Sequence, residues 1–232
     1  MTSERYQDGS YLAANPDWHA ADAPYKARWI ADLLDHNGLK PGHATEIGSG
    51  SGCVLANLER LMPGTRLVGC EISRDAHAIA SRQESPNIAA HLRDVLTEGL
   101  PEPTELVMAI DVIEHVEDSF AFLRGIRELA EWKLLHIPLE LSVQGLLRNR
   151  SLMHARRHLG HIHYYCRDTA LALLSDCGME VRDWRYTHGA EQLPGRKLRT
   201  RLLNVPRRAL RMVDENLSVR VLGGASMLVL AR

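Results

Sequence analysis

The sequence predicts an α/β protein whose parallel sheet is covered by helices on both faces. Between residues 44 and 137, short apolar runs typical of buried strands alternate with stretches typical of amphipathic helices. Strands separated by helices pair in parallel, and both faces of such a sheet are buried. A glycine-rich loop follows the first strand, and an acidic residue marks the carboxyl end of each of the first four strands. Ligands of open α/β sheets bind at that end, so we expect the functional site there.

The individual elements follow from periodicity and from the residues that begin and end them. Asp22 and Pro24 open a helical pattern, and Asn37-Gly38 is a normal C-cap that ends it. Pro138 is expected to halt the fifth strand. Strands are predicted over residues 44–47, 66–70, 88–92, 106–110, 133–137, 179–184 and 227–231. Further helices are predicted over residues 53–61, 75–83, 119–130 and 168–177.

Three segments stand apart from this alternation. Residues 1–21 are a polar arm with scattered aromatic residues, which either closes over the site as a lid or stays a frayed terminus. The rest, residues 22–232, is expected to be one domain with an inserted helical cap over 139–165 and a basic segment over 188–220. Arginines and leucines alternate in the tract 196–211, which suits a solvated helix face or contact with an acidic surface such as a membrane.

The composition is that of an ordinary soluble globular protein. The chain has 232 residues, of which 45% are hydrophobic and 25% charged, and its net charge of −1 gives no reason to expect a nucleic-acid partner. No secretory pattern opens the chain and no apolar run approaches the roughly 20 residues of a membrane span. We therefore expect a cytoplasmic protein, with membrane-surface contact through 196–211 as an open alternative. The four cysteines lack metal-site spacing and are expected to be small buried residues in a reducing compartment.

The glycine-rich loop, Glu-Ile-Gly-Ser-Gly-Ser-Gly at residues 46–52, is typical of nucleotide binding. Glycine tolerates positive φ and lets the backbone lie against a ligand, while the next helix points its free N–H groups at the turn. A dinucleotide fingerprint would place its last glycine at position 53, which is Cys53, so a dinucleotide-dependent oxidoreductase is disfavoured. Glu46 suits instead a cofactor with an ammonium group and a sulfonium, such as S-adenosylmethionine.

Two further acidic residues indicate an adenosine-type ligand. Glu71 follows the loop by about twenty residues at the end of the second strand, where a carboxylate accepts hydrogen bonds from the two hydroxyls of a ribose. Asp94, at the end of the third strand, can accept from an exocyclic amine such as that of adenine.

These motifs resemble those of class I S-adenosylmethionine-dependent methyltransferases, in the order of that family. The resemblance covers roughly residues 22–187 and the last strand, through the segments 46–52, 68–73, 93–95, 111–116, 161–165 and 177–179. Segment 111–116, Asp-Val-Ile-Glu-His-Val, is similar to the signature of ubiquinone-type O-methyltransferases and their bacterial relatives. The family implies a Rossmann-like sheet of seven strands with the last antiparallel. It implies cofactor contacts from Glu46, Gly48, Ser49, Gly50, Gly52, Glu71, Ile72, Asp94, Val95 and Asp111.

A second cluster follows the fourth strand. The spacing of Asp111, Glu114 and His115 predicts that they meet on one helical turn, where His161 could complete a site for Mg²⁺ or another divalent cation. Matching residues hold a metal in small-RNA ribose methyltransferases and in some ubiquinone O-methyltransferases. Without a metal, His115 would act as a general base, or the cluster would only orient the loop. Glu114, His115 and His161 are therefore the candidate catalytic residues and the candidate metal ligands.

The predicted activity is methyl transfer from S-adenosylmethionine to a hydroxyl of a small molecule, glycan or quinone-type acceptor. N-methylation of a small molecule and a non-catalytic partner protein that binds the cofactor are the alternatives. We expect residues 1–25, 139–165 and the basic tract to build the acceptor pocket. With an aromatic content of 5% and two phenylalanines, a large stacking pocket is not evident.

Overall fold

The computed structural model describes residues 20–148, 150–189 and 198–232. Its seven strands form one sheet in the order β3-β2-β1-β4-β5-β7-β6. The strands are β1 His43–Ile47, β2 Arg66–Glu71, β3 Ile88–Leu92, β4 Leu106–Ile110, β5 Trp132–Leu139, β6 Val181–Thr187 and β7 Ala225–Ala231. The first five pair in parallel, and β7 runs antiparallel between β5 and β6. The predicted fold class is thereby confirmed.

Helices cover both faces of this sheet, as predicted. They are α1 Ala23–His36, α2 Cys53–Leu61, α3 Arg74–Ala80, α4 Val95–Glu98, α5 Ser119–Arg127, α6 Val143–Arg148, α7 Arg150–His154, α8 Arg167–Asp176, α9 Leu198–Val213 and α10 Glu215–Leu222. The apolar sides of α1 and α2 pack on one face, through residues such as Ile30, Leu33 and Leu58. Those of α5 and α8 pack on the other, through residues such as Leu123 and Leu174.

The first helix begins and ends as predicted, but the prediction that Pro138 halts the fifth strand is wrong. The backbone carbonyl of His136 accepts a hydrogen bond from the Asp111 N–H, so it points toward β4. Backbone groups of every second residue in a strand point to the same side, so those of Pro138 also point toward β4. Because β4 has ended at Ile110, the missing N–H of Pro138 removes no ladder hydrogen bond. β5 therefore continues along β7 as far as the pair Leu139–Ala225.

The prediction that all four cysteines are buried holds for Cys70 and Cys177 only. Cys53 and Cys166 are half-buried, because one begins α2 beside a cavity and the other is the N-cap of α8. All four are free thiols. None of the described helices is long and apolar enough to span a membrane.

The segment 139–165, here called the cap, folds over the carboxyl ends of β4 and β5. It contains α6, α7 and one π-helical stretch, Ala155–Leu159, which Gly160 ends in a left-handed conformation. The chain then returns in extended form, where the N–H groups of Ile162 and His163 donate to the carbonyl of Glu114. These bonds fix the cap against the loop after β4. The aromatic residues of the predicted arm, and positions 190–197 of the basic segment, lie outside the described residues.

The packing of α5 gives a test of this fold. Leu123 is 0% exposed beneath the sheet, so Leu123→Ala should reduce the free energy of unfolding by about 2–5 kcal/mol. Leu147→Ala, at a side chain that is 83% exposed on α6, is the matched control and should change it by less than about 0.5 kcal/mol. Urea denaturation measures both, and equal effects would contradict the described position of α5.

Candidate active site

The carboxyl ends of β1, β2 and β4 open onto a cavity of about 740 Å³, here called the first cavity. Seven of the ten predicted cofactor residues line it: Glu46, Gly48, Ser49, Gly50, Glu71, Ile72 and Asp111. Gly52, Asp94 and Val95 are not part of its lining. The glycine loop and the acidic residues at the ends of β1, β2 and β4 therefore surround one space, whereas Asp94 after β3 does not line it.

The glycine loop needs residues that tolerate positive φ. Gly48 and Gly50 have φ of +70° and +54°, and a Cβ on Gly48 would lie 2.9 Å from a Val112 methyl carbon. Gly52 also has a positive φ, but its Cβ would meet the backbone of Ala80 at 3.3 Å. Gly52 is thus required by the packing of α2 on α3, which explains why it does not face the cavity.

Glu71 fastens this loop to the sheet. Its Oε2 accepts from the Gly50 N–H and its Oε1 from the Ser73 N–H, both at 2.8 Å. Burial raises the pKa of Glu71, and these backbone hydrogen bonds oppose that rise. A carboxylate has about four acceptor positions, so Glu71 retains acceptor capacity toward the cavity that it lines.

Glu46 is a buried carboxylate with an unsatisfied oxygen. The residue is 2% exposed, and Oε2 has no hydrogen-bond partner among the described residues. Burial raises the pKa of Glu46 to about 8, while the charge of Lys26 acts in the opposite direction. An unpartnered buried carboxylate is costly unless a cation or donor approaches it. Glu46 therefore fits a cationic group in the first cavity.

Asp94 and Val95 lie at the start of α4. The Asp94 side chain accepts from the Leu96 N–H at 3.0 Å and so caps the helix, and Val95 is buried in the core. Their predicted contacts with adenine remain predictions.

Asp111 does not join Glu114 and His115 on a helical turn, and that prediction is wrong. The chain after β4 forms a turn, in which the His115 N–H donates to the Val112 carbonyl. Asp111 has φ of 55°, the one positive value at a non-glycine position in the described chain. This conformation costs about 1–2 kcal/mol and is found mainly at functional sites. Asp111 is not among the residues whose ligand atoms come together in this cluster.

Asp111 instead bonds to two residues that the sequence analysis missed. Its Oδ2 lies 2.6 Å from Lys26 Nζ on α1, and its Oδ1 lies 2.6 Å from His136 Nδ1 on β5. The other His136 nitrogen, Nε2, is 2.8 Å from the Thr187 hydroxyl. Burial alone would raise the pKa of Asp111, but the charges of His136 and Lys26 hold it below its usual range. A histidine between Leu135 and Ile137 in a predicted strand was the available signal for His136.

Glu114, His115 and His161 do come together as predicted, with one potential ligand atom from each lying within 4.8 Å of the others. Glu114 is 1% exposed, and neither carboxylate oxygen has a hydrogen-bond partner among the described residues. His115 Nε2 lies 3.8 Å from Glu114 Oε1. Burial raises the pKa of Glu114 well above its usual value, and the charges of Asp111 and Glu140 add to this rise.

His161 is oriented by Glu140, a third residue that the sequence analysis missed. The His161 Nδ1 lies 2.8 Å from Glu140 Oε2, which leaves Nε2 as the atom available to the cluster. The His161 ring meets the His115 ring edge to face at 4.8 Å. The nearby His163 instead contacts the Val116 carbonyl at 2.9 Å, so it fastens the loop and takes no part in the cluster.

A second cavity of about 470 Å³ adjoins the first, between the cap, α1 and the ends of β5, β6 and β7. Residues that line both cavities define what we call the junction: Asp22, Lys26, Asp111, Pro138, Leu159 and His161. Two carboxylate–histidine pairs, Asp111–His136 and Glu140–His161, therefore flank the passage between the two spaces. The arrangement can hold two ligands side by side and accept a proton where they meet.

Comparison with known proteins agrees with this geometry. A family model described as a methyltransferase domain matches residues 45–131. No curated protein is significantly similar to the chain in sequence.

Solved structures show a similar fold. Magnesium protoporphyrin IX methyltransferase from Synechocystis, with bound S-adenosylhomocysteine, is 14% identical, with TM-score 0.60 over 90% of this chain and 82% of that chain. An N-methyltransferase from Bradyrhizobium japonicum, also with S-adenosylhomocysteine, is 12% identical, with TM-score 0.55 over 88% and 86%. A candidate O-methyltransferase from Nostoc punctiforme is 12% identical, with TM-score 0.59 over 90% and 56%. At these identities the likeness shows the fold alone.

The Lys26–Asp111 pair can be tested through stability. Lys26→Met keeps the aliphatic length of the side chain but removes one partner of a largely buried ion pair, so we expect a loss of about 3 kcal/mol near neutral pH. Lys40→Met, at an exposed lysine after α1, should cost less than about 0.5 kcal/mol.

The pH dependence of this difference has a definite sign. Because the folded-state pKa of Asp111 is lowered, its contribution is complete above the unfolded value of about 4 and is lost as pH falls through the folded value. Chemical denaturation should show the gap between Lys26→Met and the unmodified protein unchanged from about pH 7 to about pH 4 and narrowing from there down to about pH 3. A gap that stays constant would contradict the pairing.

Proposed function

We propose that this chain is a class I S-adenosylmethionine-dependent methyltransferase and that it methylates a hydroxyl group of a small molecule or glycan intermediate. The observation that carries the proposal is the Glu46 carboxylate, which is buried, has an oxygen without a partner among the described residues, and lies in a cavity that the glycine loop and Glu71 also line. That arrangement fits an adenosine cofactor with a cationic amino-acid end. When bound, S-adenosylmethionine supplies an electrophilic methyl group.

The residues of the first cavity match the parts of such a cofactor. Glu46 would accept from its ammonium group, and Lys26, which lines the same cavity, would provide positive charge for its carboxylate. Glu71 would accept from the ribose hydroxyls while it keeps the loop in place. Asp94 and Val95 are proposed to contact the adenine. The first cavity thus has the charges of a zwitterion at one end and acceptors for a diol at the other.

The residues of the second cavity would hold the acceptor with its hydroxyl at the junction. Displacement at the methyl group needs alignment of donor and acceptor, and the cap excludes water from the space where they meet. The hydroxyl proton must also be accepted, and His161 lies at the junction, with Glu140 fixing its ring. His115 lines the first cavity, and its ring contacts that of His161. We therefore propose Glu114, His115 and His161 as the proton-accepting cluster.

The same three side chains also suit a divalent cation. One carboxylate and two imidazoles form a known donor set for such ions, and both Glu114 oxygens are unpartnered among the described residues. In that version Glu114, His115 and His161 would hold Mg²⁺ or a related ion, which would lower the pKa of the acceptor hydroxyl.

The buried cluster favours O-methylation over the alternatives. A hydroxyl needs deprotonation near the transition state more than a neutral amine does, which favours a site with proton acceptors over simple N-methylation. A non-catalytic binding protein would have no use for a buried carboxylate without hydrogen-bond partners, which is unfavourable for folding.

Contact with a membrane surface remains a separate proposal. In the described part of α9, Val205, Met212 and Val213 are exposed beside the basic residue Arg208. This mixture of apolar and basic side chains is typical of helices that lie on an acidic membrane surface.

Removing the Glu71 carboxylate should weaken cofactor binding strongly. Glu71→Ala removes the acceptor for the ribose hydroxyls and the anchor of Gly50, so we expect about 100-fold weaker binding of S-adenosylhomocysteine, or about 2.7 kcal/mol. Calorimetric titration measures this loss, with Glu128→Ala at an exposed carboxylate as the control. Equal affinity in the two variants would argue against this cofactor site, as would no binding by the unmodified protein.

Loss of His115 should affect turnover far more than cofactor affinity. His115→Ala should reduce methyl transfer by about 100-fold or more, the usual scale of acid–base assistance, and should leave the affinity for S-adenosylhomocysteine unchanged. His36→Ala, at an exposed histidine ending α1, is the control. Under the metal version a chelator abolishes activity and Mg²⁺ or Mn²⁺ restores it. Undiminished turnover in His115→Ala would remove both versions.

A further inference from the structure

We infer that the second cavity takes a hydroxyl-rich acceptor that carries an anionic group, of the class of sugar phosphates and uronic acids. The inference rests on the proposed function in one respect, that the second cavity is the acceptor site. It goes further by naming the chemistry of the acceptor and the end of the cavity at which each part of it binds.

Hydrogen-bonding side chains line this cavity on most of the elements that surround it. They come from α1, the cap, β6 and β7, and they include Tyr25, Ser142, Gln144, Ser151, Thr187 and Ser226. Hydroxyl and amide groups both donate and accept, which is what vicinal hydroxyls require of a site. A ring with several hydroxyl groups can therefore be satisfied in several directions at once.

Flat aromatic acceptors fit this lining less well. Tyr25 is the single tyrosine, tryptophan or phenylalanine among the described residues that line it. Stacking of a quinone-type ring is usually provided by aromatic faces, whereas the apolar residues here are aliphatic, such as Leu139 and Leu152. These aliphatic side chains suit the C–H faces of a sugar.

Charge is distributed unevenly along the cavity. At the junction Asp111 is bonded to Lys26 and His136, nearby Glu140 is bonded to His161, and Asp22 adds a further carboxylate. Arg148 and Arg207 line the second cavity but not the first, so neither is a junction residue. The two arginines therefore place positive charge in the part of the second cavity that the first cavity does not share.

Arg207 is held in place as a binding residue should be. It is 8% exposed, and its guanidinium donates to the Leu222 carbonyl at 3.1 Å and to Asn204 Oδ1 at 3.3 Å. A fixed guanidinium is suited to phosphate and carboxylate, whose oxygens match its planar N–H groups. Arg148, exposed at the end of α6, can add a second positive charge from the cap.

The two ends together determine which hydroxyl would be methylated. An anion bound at Arg148 and Arg207 fixes one end of the acceptor, and the length of the cavity then brings one hydroxyl to His161 at the junction. Regioselectivity would follow from the distance between the anionic group and that hydroxyl.

The test uses the full chain saturated with S-adenosylhomocysteine, titrated with glucose 1-phosphate, glucuronate, glucose and catechol. We expect one or both anionic sugars to bind at least about 10-fold more tightly than glucose and more tightly than catechol, a difference of about 1.4 kcal/mol. The comparison between glucose 1-phosphate and glucuronate identifies whether phosphate or carboxylate is preferred. Arg148→Gln should remove most of the preference for anions, and Arg156→Gln, at an exposed cap arginine that lines neither cavity, should keep it.

Several results would overturn the inference. Glucose binding as tightly as both anionic sugars, catechol binding more tightly than all three sugars, or an unchanged preference in Arg148→Gln would each do so. The same would follow if none of the four compounds bound to a protein that does bind S-adenosylhomocysteine. Binding of the anionic sugars without any binding of S-adenosylhomocysteine would instead overturn the proposed methyl donor and support the ligand class. Thermal melting of each variant verifies that it is folded.

Discussion

The carboxylate of Asp111 connects the parts of the molecule on which the site depends. It sits at the end of β4 and bonds to Lys26 on α1 and to His136 on β5, and His136 reaches Thr187 on β6. The left-handed backbone at Asp111 is what aims the carboxylate at both partners. This strain persists because two charged hydrogen bonds stabilise it. The Asp111 side chain therefore fixes the position of α1 relative to β5, and through His136 relative to β6.

The two cavities differ in how their polar groups are satisfied. In the first, Glu46 and Glu114 have buried oxygens without partners among the described residues, and each of their pKa values is raised by burial. In the second, Asp111 and Glu140 are bonded to basic groups, and Arg148 and Arg207 also line the cavity. A buried carboxylate without a partner is stabilised by a cationic ligand. Where the carboxylates are already paired, the neutral donors and the arginines determine which ligand binds. The fold therefore prepares one space for a positively charged partner and the adjoining space for a polar or negative one.

The parts of the site that were predictable are those whose signals are local in the sequence. Glu46, the glycines and Glu71 stand next to strand ends that can be recognised by themselves, and all seven strands and the first helix were placed to within a few residues. The roles of Lys26, His136 and Glu140 depend on contacts between elements that are distant in the chain, so no spacing rule reveals them. Asp111 shows the limit most clearly. Spacing of three and four residues implies a shared face only if the backbone is helical, and here one left-handed residue and a turn separate the side chains.

Gly52 and Pro138 extend the same lesson to residues with well-known preferences. Gly52 belongs to the nucleotide-loop pattern, yet its missing Cβ leaves room for Ala80 of α3, and Gly52 does not line the first cavity. Proline usually ends a strand, but Pro138 lacks its N–H on the side of β4, and β4 has already ended at Ile110. In both cases the residue type restricts the backbone, and the effect of that restriction on the fold depends on the neighbouring element.

The position of β7 has a consequence for the order in which the molecule is built. β7 is the last strand along the chain, yet it lies inside the sheet, between β5, which carries His136, and β6, which ends with Thr187. During synthesis the strands that frame the first cavity emerge early and pair with near neighbours, so this half can form while the chain is still growing. The His136–Thr187 bond bridges β7, so it can form in its final geometry only after residues 225–231 have inserted. The half of the molecule that lines the second cavity is therefore the last to take shape, and a nascent chain would form the glycine loop and the strand ends around it before the second cavity is complete.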